Sequence, residues 1–282
     1  MTSGGKSNTI RVPKYKQRTN MRTKGVKMHQ PTERVIQIID AVARGGVPKT
    51  LSELSREIGV PKSTLSPILH TLCAHKYLYH NGEGRYEVGS AIFSLSSAFW
   101  GNFPVLDYVH SELENLVDKL NEACYFGVLE DGYVRYLDKV NSTHSLRVLV
   151  PTGRRLPAYA TAMGKALMFG MSDEEIKSFY EGRGLNSLTD NTVTDVDKLI
   201  SDVMEMKKSG YAWEIEESTK HIRCFGAPVT KGDKIVAAIS VAIPVFRFDE
   251  SMKEYVVGSL VSTAQNIGRM IEKSDSHFGD IF

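Results

Sequence analysis

Hydrophobic positions along the chain change period several times, and each change marks a predicted element. Val35, Ile38, Ile39 and Val42 recur at helical spacing after Pro31-Thr32 and stop at Gly45-Gly46. Thr50 and Glu53 have the spacing of a capping box, and Leu51, Leu54 and Ile58 line one face of the short helix behind them. Gly59 stands where a helix end favours a left-handed residue. After Val60-Pro61 a third helix carries Leu65, Ile68, Leu69 and Leu72 on its buried face. Residues 77–80 and 85–88 are strand-like and flank Asn81-Gly82-Glu83-Gly84, a hairpin turn.

Helix, helix, sharp turn, helix, hairpin is the order of a winged helix-turn-helix. Its second helix braces against the DNA backbone while the third enters the major groove. Lys62, Ser63, Thr64 and Ser66 are therefore the candidate groove-facing residues, with Thr50 at the bracing helix counted beside them. Arg85, next to the hairpin turn, is placed to reach phosphate or the minor groove. Pro67 is cheap only if Ser63 or Thr64 caps the third helix, because proline lacks an N–H and fits the first turn.

Beyond residue 90 the pattern predicts a small-residue helix at 90–99, a connecting segment or dimer contact, and then an amphipathic helix on Leu106, Val109, Leu113, Leu116, Val117 and Leu120. Strands follow at 125–129 and 133–140 around Asp131-Gly132, and at 146–150, 211–214, 222–229 and 235–243. Helices are predicted at 160–169, 172–180 (capped by Ser172 with Glu175), 195–208 and 250–271. The fold class is α/β in the α+β sense: a winged domain at 31–90, a linker helix at 91–104, and at 105–274 a mainly antiparallel sheet with helical layers. Segments 1–30 and 275–282 are expected to be tails.

Composition sharpens this division. The chain has 282 residues, 41% of them apolar, which suits two cores better than one. The net charge of +2 conceals an asymmetry: residues 1–32 hold eight Lys/Arg and no acid, a segment expected to be disordered and suited to nucleic acid. No apolar stretch is long enough for a membrane span, and none at the N-terminus reads as a signal peptide. Cys73, Cys124 and Cys224 are odd in number and widely spaced, which suits a reducing cytoplasm rather than disulfides or a zinc site.

Enzyme readings fail on spacing. Ser240 lacks the glycine frame of a nucleophile elbow. His221 and Cys224 are three apart, so an extended strand sends them to opposite faces. Gly164-Lys165 is followed by Ala166 and lacks the earlier glycine of a phosphate loop, which leaves Lys165 as a solvated or structural helix residue. The eight histidines have no metal-ligand spacing, so no metal and no cofactor is expected. A protein-interaction adaptor built on the winged domain is the remaining alternative.

Three blocks resemble IclR-type transcriptional regulators: T-L-S-E-L-S-R-E-I-G-V-P-K-S-T-L-S from Thr50 to Ser66, G-R-R-L-P-A-Y-A-T-A-M-G-K-A-L from Gly153 to Leu167, and G-Y-A-W-E-I-E-E from Gly210 to Glu217. Cys224 to Val229 and Ala237 to Val241 continue the third. The resemblance covers roughly 33–271. It implies a GAF-like effector domain, a homodimer or tetramer, and a palindromic operator in double-stranded DNA, with repression of a catabolic operon the commoner family habit. It also implies an effector site formed by Val148, Ala162, Met163, Glu214, Cys224 and Ser240. Backbone N–H groups opening the 160–169 helix suit a small organic acid. Two departures stand out: Ala242 replaces a second serine, and Pro67 an arginine in the recognition helix. Leu146-Arg147 and Gly153-Arg154-Arg155, with Tyr159, are similar to repressors of ketodeoxygluconate and related sugar-acid catabolism, which implies a sugar acid as effector.

Overall fold

The computed structural model describes residues 28–145, 152–153, 155–274 and 278. Most of the basic tail, the strand predicted at 146–150 and the candidate Val148 lie outside the described residues.

The first unit follows the local signals closely. Helices α1 (Gln30–Ala43), α2 (Leu51–Ile58) and α3 (Lys62–Ala74) enclose a core of Ile38, Leu54, Leu65 and Leu69, none of which keeps exposed surface. Strands β1 (Lys49–Thr50), β2 (Leu78–His80) and β3 (Arg85–Val88) form an antiparallel sheet in the order β1-β3-β2. The capping box of α2 is complete: the Glu53 N–H donates to Thr50 Oγ1 at 3.2 Å, and the Thr50 N–H to Glu53 Oε2 at 2.7 Å. Gly59 closes α2 at φ 75°, the left-handed conformation a helix end favours.

The start of α3 corrects one expectation. Neither Ser63 nor Thr64 caps it; the helix begins at Lys62, and the Pro61 carbonyl accepts the Thr64 and Leu65 N–H groups. Pro67 is thus the sixth helical residue, beyond the inexpensive first turn, and has no N–H to give the Ser63 carbonyl.

Helix α4 (Ala91–Gly101) connects the two units and has no fully buried residue, leaving Phe93, Leu95 and Trp100 exposed. The second unit is built on a six-stranded sheet in the order β6-β5-β4-β9-β8-β7, every neighbouring pair antiparallel. In chain order its elements are α5 (Val105–Leu120), β4 (Ala123–Glu130), β5 (Tyr133–Val140), β6 (Arg155–Pro157), α6 (Ala162–Leu167), α7 (Asp173–Tyr180), α8 (Val196–Ser209), β7 (Ala212–Ile215), β8 (Ile222–Lys231), β9 (Lys234–Pro244) and α9 (Lys253–Lys273). Cys124, Phe126, Ile239 and Val241 point to one face and pack with α5 and α9. Tyr125, Ala238 and Ala242 point to the other, beneath α6, α7 and α8. With both faces covered, β4 and β9 are buried over most of their length, so their sequences are nearly continuous apolar runs. Phe278, in the segment expected to be a tail, is instead fully buried 5.8 Å from the Phe103 ring.

The helix predicted at 160–169 is shorter. Thr161 is extended at φ −123° and separates a 3-10 turn, Ala158–Ala160, from the six residues of α6, and its hydroxyl caps the Gly164 N–H at 3.0 Å. Alpha-helix α9 likewise starts at Lys253, after a 3-10 turn at Glu250–Met252. The start of α6 lies hard against β8 at Gly226, where an added Cβ would meet the Ala162 carbonyl oxygen at 2.6 Å. Gly226→Ala is therefore expected to destabilise the chain by roughly 1–3 kcal/mol, the usual cost of overpacking. Urea unfolding checks this, and unchanged stability would mean that α6 is free to shift.

Candidate functional site

Two sets of residues have to be placed. On α3, Leu65, Leu69 and Leu72 face the core, so the opposite side is the exposed one. It presents Lys62, Ser63, Ser66, Pro67 and His70, while Thr64 is half-buried at its margin. His70 was not singled out from the sequence, although its position one turn beyond Ser66 puts it on the same stripe. Thr50 lies away from this stripe, and its hydroxyl and amide are engaged in the cap of α2. Arg85 pairs with Thr50 in the sheet, and its guanidinium donates to the Pro48 carbonyl at 3.0 Å and lies 3.4 Å from Glu53. The hairpin tip itself exposes Gly82, Glu83 and Gly84 and so offers no cation.

The second set converges. Glu214 on β7 lies opposite Cys224 on β8, which lies opposite Ala242 on β9. One row along, Gly226 faces Ser240, and Ser240 faces Tyr125 on β4. Alternate residues of a strand share a face, so Glu214, Cys224, Ser240 and Ala242 all point to the side that α6 covers. Ala162 and Met163 begin that helix and are buried. Five of the six candidates are thereby brought together. Ala242 places a methyl beside Cys224 where a second hydroxyl was absent from the sequence. Clefts of about 740 Å³ between α7 and α8 and about 400 Å³ beside the β8–β9 turn open elsewhere, and neither is lined by these residues.

Electrostatics distinguish this face from an ordinary core. Glu214 is 1% exposed; its Oε2 accepts the Glu217 N–H at 2.7 Å and its Oε1 the Ser218 hydroxyl at 3.2 Å. Burial pushes its carboxyl up to about 7, opposed by the Cys224 thiol, the Glu217 N–H and the charge of Lys165. Burial also holds the Cys224 thiol well above its ordinary range, with Glu214 adding to the effect. Cys224 is half-buried as a residue, and its thiol sits against the Glu214 carboxyl.

Lys165 was expected to be solvated or structural, and the structure decides for the second. Its side chain has no exposed surface, and its Nζ lies 2.5 Å from Glu217 Oε1. Burial raises the Glu217 carboxyl and Lys165 pulls it back. Glu217 Oε2 is buried, with no hydrogen-bond partner within bonding geometry among the described residues. The Thr189 and Thr192 hydroxyls donate to the Glu217 carbonyl at 3.2 and 2.7 Å and fix the loop behind it. Sequence reasoning missed Glu217 and undervalued Lys165. The available signal was a single cation in a turn otherwise made of Ala162, Met163, Ala166 and Leu167.

His221 is exposed and sits before β8 at φ 65°, while Cys224 faces inward, so the two form no dyad. Among the described residues no cluster of His, Cys, Asp or Glu could hold a metal ion, and no helix is long and apolar enough to cross a membrane.

The Glu214 environment makes stability depend on pH. The folded chain keeps this proton to about 7, whereas the unfolded carboxyl loses it near the ordinary 4.5. The folded state therefore binds more protons in that window, and stability falls as pH rises through it. Glu214→Gln lacks this dependence. The difference in unfolding free energy between wild type and variant should change by about 3 kcal/mol between about pH 4.5 and about pH 7. Urea titrations at several pH values measure it, and a constant difference would refute the assignment.

Comparison with known proteins covers both domains. Residues 31–82 match the IclR helix-turn-helix domain, and residues 99–269 match the bacterial transcriptional regulator IclR C-terminal domain. The transcriptional repressor IclR of Escherichia coli strain K12 is 29% identical over 240 residues, covering 83% of this chain and 87% of that protein. The transcriptional regulator KdgR of the same strain is 27% identical over 230 residues, covering 81% and 88%. An IclR homolog from Microbacterium hydrocarbonoxydans, solved in complex with 4-hydroxybenzoate, shares the fold at TM-score 0.76 and 19% identity, over 86% of this chain and 100% of that one. The first two are transcriptional regulators, and the third is an IclR homolog holding 4-hydroxybenzoate. With a helix-turn-helix unit and an effector-type sheet domain in this order, the chain belongs to the IclR family of DNA-binding transcriptional regulators.

Proposed function

We propose that this cytoplasmic protein represses a catabolic operon by binding a palindromic operator as a homodimer or tetramer, and that a small organic acid controls it. The observation that carries the reading is the convergence of Glu214, Cys224 and Ser240, from three strands, on one buried face beneath α6. A buried polar row of this kind suits a small polar ligand better than it suits packing, because buried polar groups need partners. The Ser240 side chain is buried on this face, where its hydroxyl can serve a ligand. Val148, Ala162 and Met163 complete the proposed lining. A sugar acid is the leading class, on the resemblance of the segment around Tyr159; the aromatic acid bound by the structural relative is the second.

On the DNA side, Lys62, Ser63, Thr64, Ser66 and His70 face the major groove in this reading. Thr50 and Arg85 act mainly by holding the start of α2 and its approach to the backbone. With Pro67 in place of a cation, the contacts to bases fall to Lys62, short hydroxyls and one imidazole.

Ser63→Ala or Ser66→Ala should shift preference among operator variants by roughly 1–3 kcal/mol. Footprinting both variants checks this, and two normal footprints would mean that α3 is not the reading helix. Glu214→Ala and Cys224→Ala should weaken the effector response about tenfold or more while operator binding without effector is kept, as expected for lost hydrogen bonds in a ligand site. Thermal-shift titration with sugar acids and aromatic acids, followed by gel-shift release, measures both halves. Unfolding of both variants would favour a purely structural role.

A further inference from the structure

We propose that Glu214, Glu217 and Lys165 form a buried cluster of two acids and one base that stores a single proton on Glu214, and that an organic acid binds this site only while the proton is retained. The inference rests on the effector reading above and adds its regulation by pH.

The charge balance carries it. Lys165 is wholly buried and is spent on Glu217 at 2.5 Å. Glu214, 1% exposed, is tied to the same loop through the Glu217 N–H. The groups that face the pair from each packed element are few. Strand β8 supplies the Cys224 thiol and β9 the Ser240 hydroxyl. Helix α6 supplies Lys165, and the loop after β7 supplies Ser218. Helix α8 supplies Asp202, a third carboxylate, which is matched by Lys198 at 2.6 Å and so adds no cation to the pair. Among the described residues one buried cation therefore serves two buried carboxyls. An unmatched buried charge is far costlier than a proton, so the cluster keeps one.

The hydrogen bonds say which acid keeps it. Glu217 Oε1 receives the ammonium and is the carboxylate. Both Glu214 oxygens already accept a donor, from Ser218 and from the Glu217 N–H, yet among the described residues no cation touches them. Its own O–H is then left for the face of the sheet that carries Cys224 and Ser240. A carboxylate ligand there accepts that O–H, a charge-assisted bond, whereas ionised Glu214 would repel it. A neutral ligand has no such preference. Specificity for an acid thus comes from an acid, held neutral.

The test uses the full chain, D-gluconate and benzoate as probes, and isothermal titration calorimetry in two buffers of different ionisation heat. Near pH 6 the bound acid should take up almost no proton, and near pH 8.5 about one. The dissociation constant should rise about tenfold for each pH unit above about 7. Glu214→Gln should abolish the proton uptake and flatten the profile, a result that simple loss of packing would not give. In wild type, the carboxyl carbon resonance absent from Glu214→Gln should titrate near 7. Binding independent of pH, or a pH profile unchanged in Glu214→Gln, overturns the coupling. A Glu214 resonance titrating below 5 overturns the stored proton even if acids bind. Failure of both acids to bind at pH 6 overturns the effector reading, and the coupling with it, while leaving the resonance to report the proton separately.

Discussion

Lys165 stands on a short helix whose other residues are apolar and buried, and its ammonium ends 2.5 Å from Glu217. Much of the second domain follows from that pairing. It ties α6 to the loop behind β7, across 52 positions of sequence, and so holds α6 over the row Glu214–Cys224–Ala242. Among the described residues it also uses the one buried cation near Glu214, which leaves that carboxyl to be dealt with by burial and hydrogen bonds. Such a pair contributes little net stability against a well-packed apolar substitute. Its consequence is positional: the loop, the helix and the strand edge are held in a single arrangement around the polar row.

The first domain depends on a different kind of constraint. Its interactions are short-range: a capping box, a left-handed glycine and three leucines at helical spacing bring α2 and α3 together. Local chemistry there leaves little freedom in how the reading helix is presented. Pro67 is the exception, since it sits past the first turn and removes both a backbone donor and the place of a cation. In the proposed reading, recognition then rests on Lys62, small hydroxyls and His70, the exposed groups of that helix. The exposed apolar side chains of α4 lie between the two domains, consistent with the proposed assembly of more than one chain.

The boundary between what could be inferred early and what could not runs along interaction range. Most helix and strand positions were legible, because period, caps and turns are encoded within a few residues of each other; the short strands β1 and β6 were not, since pairing with a distant strand defines them. Elsewhere a tertiary contact altered a local preference. Extended Thr161 cut the 160–169 helix to six residues, and Phe278 left its expected tail to fill the gap beside Phe103 and Phe126. Arg85 was placed correctly on its strand, but its guanidinium is held by Pro48 and Glu53, which no hairpin pattern could reveal.

The sequence by itself determined the class of protein: the helix-turn-helix order, the antiparallel sheet and the family blocks that carry Glu214, Cys224 and Ser240. Only the tertiary structure decided the chemistry of those residues. A carboxyl's charge depends on which cation is left for it and how far water is excluded, and both are set by residues distant in the chain. Lys165 and Glu217, inconspicuous along the sequence, determine in the folded state what Glu214 can be.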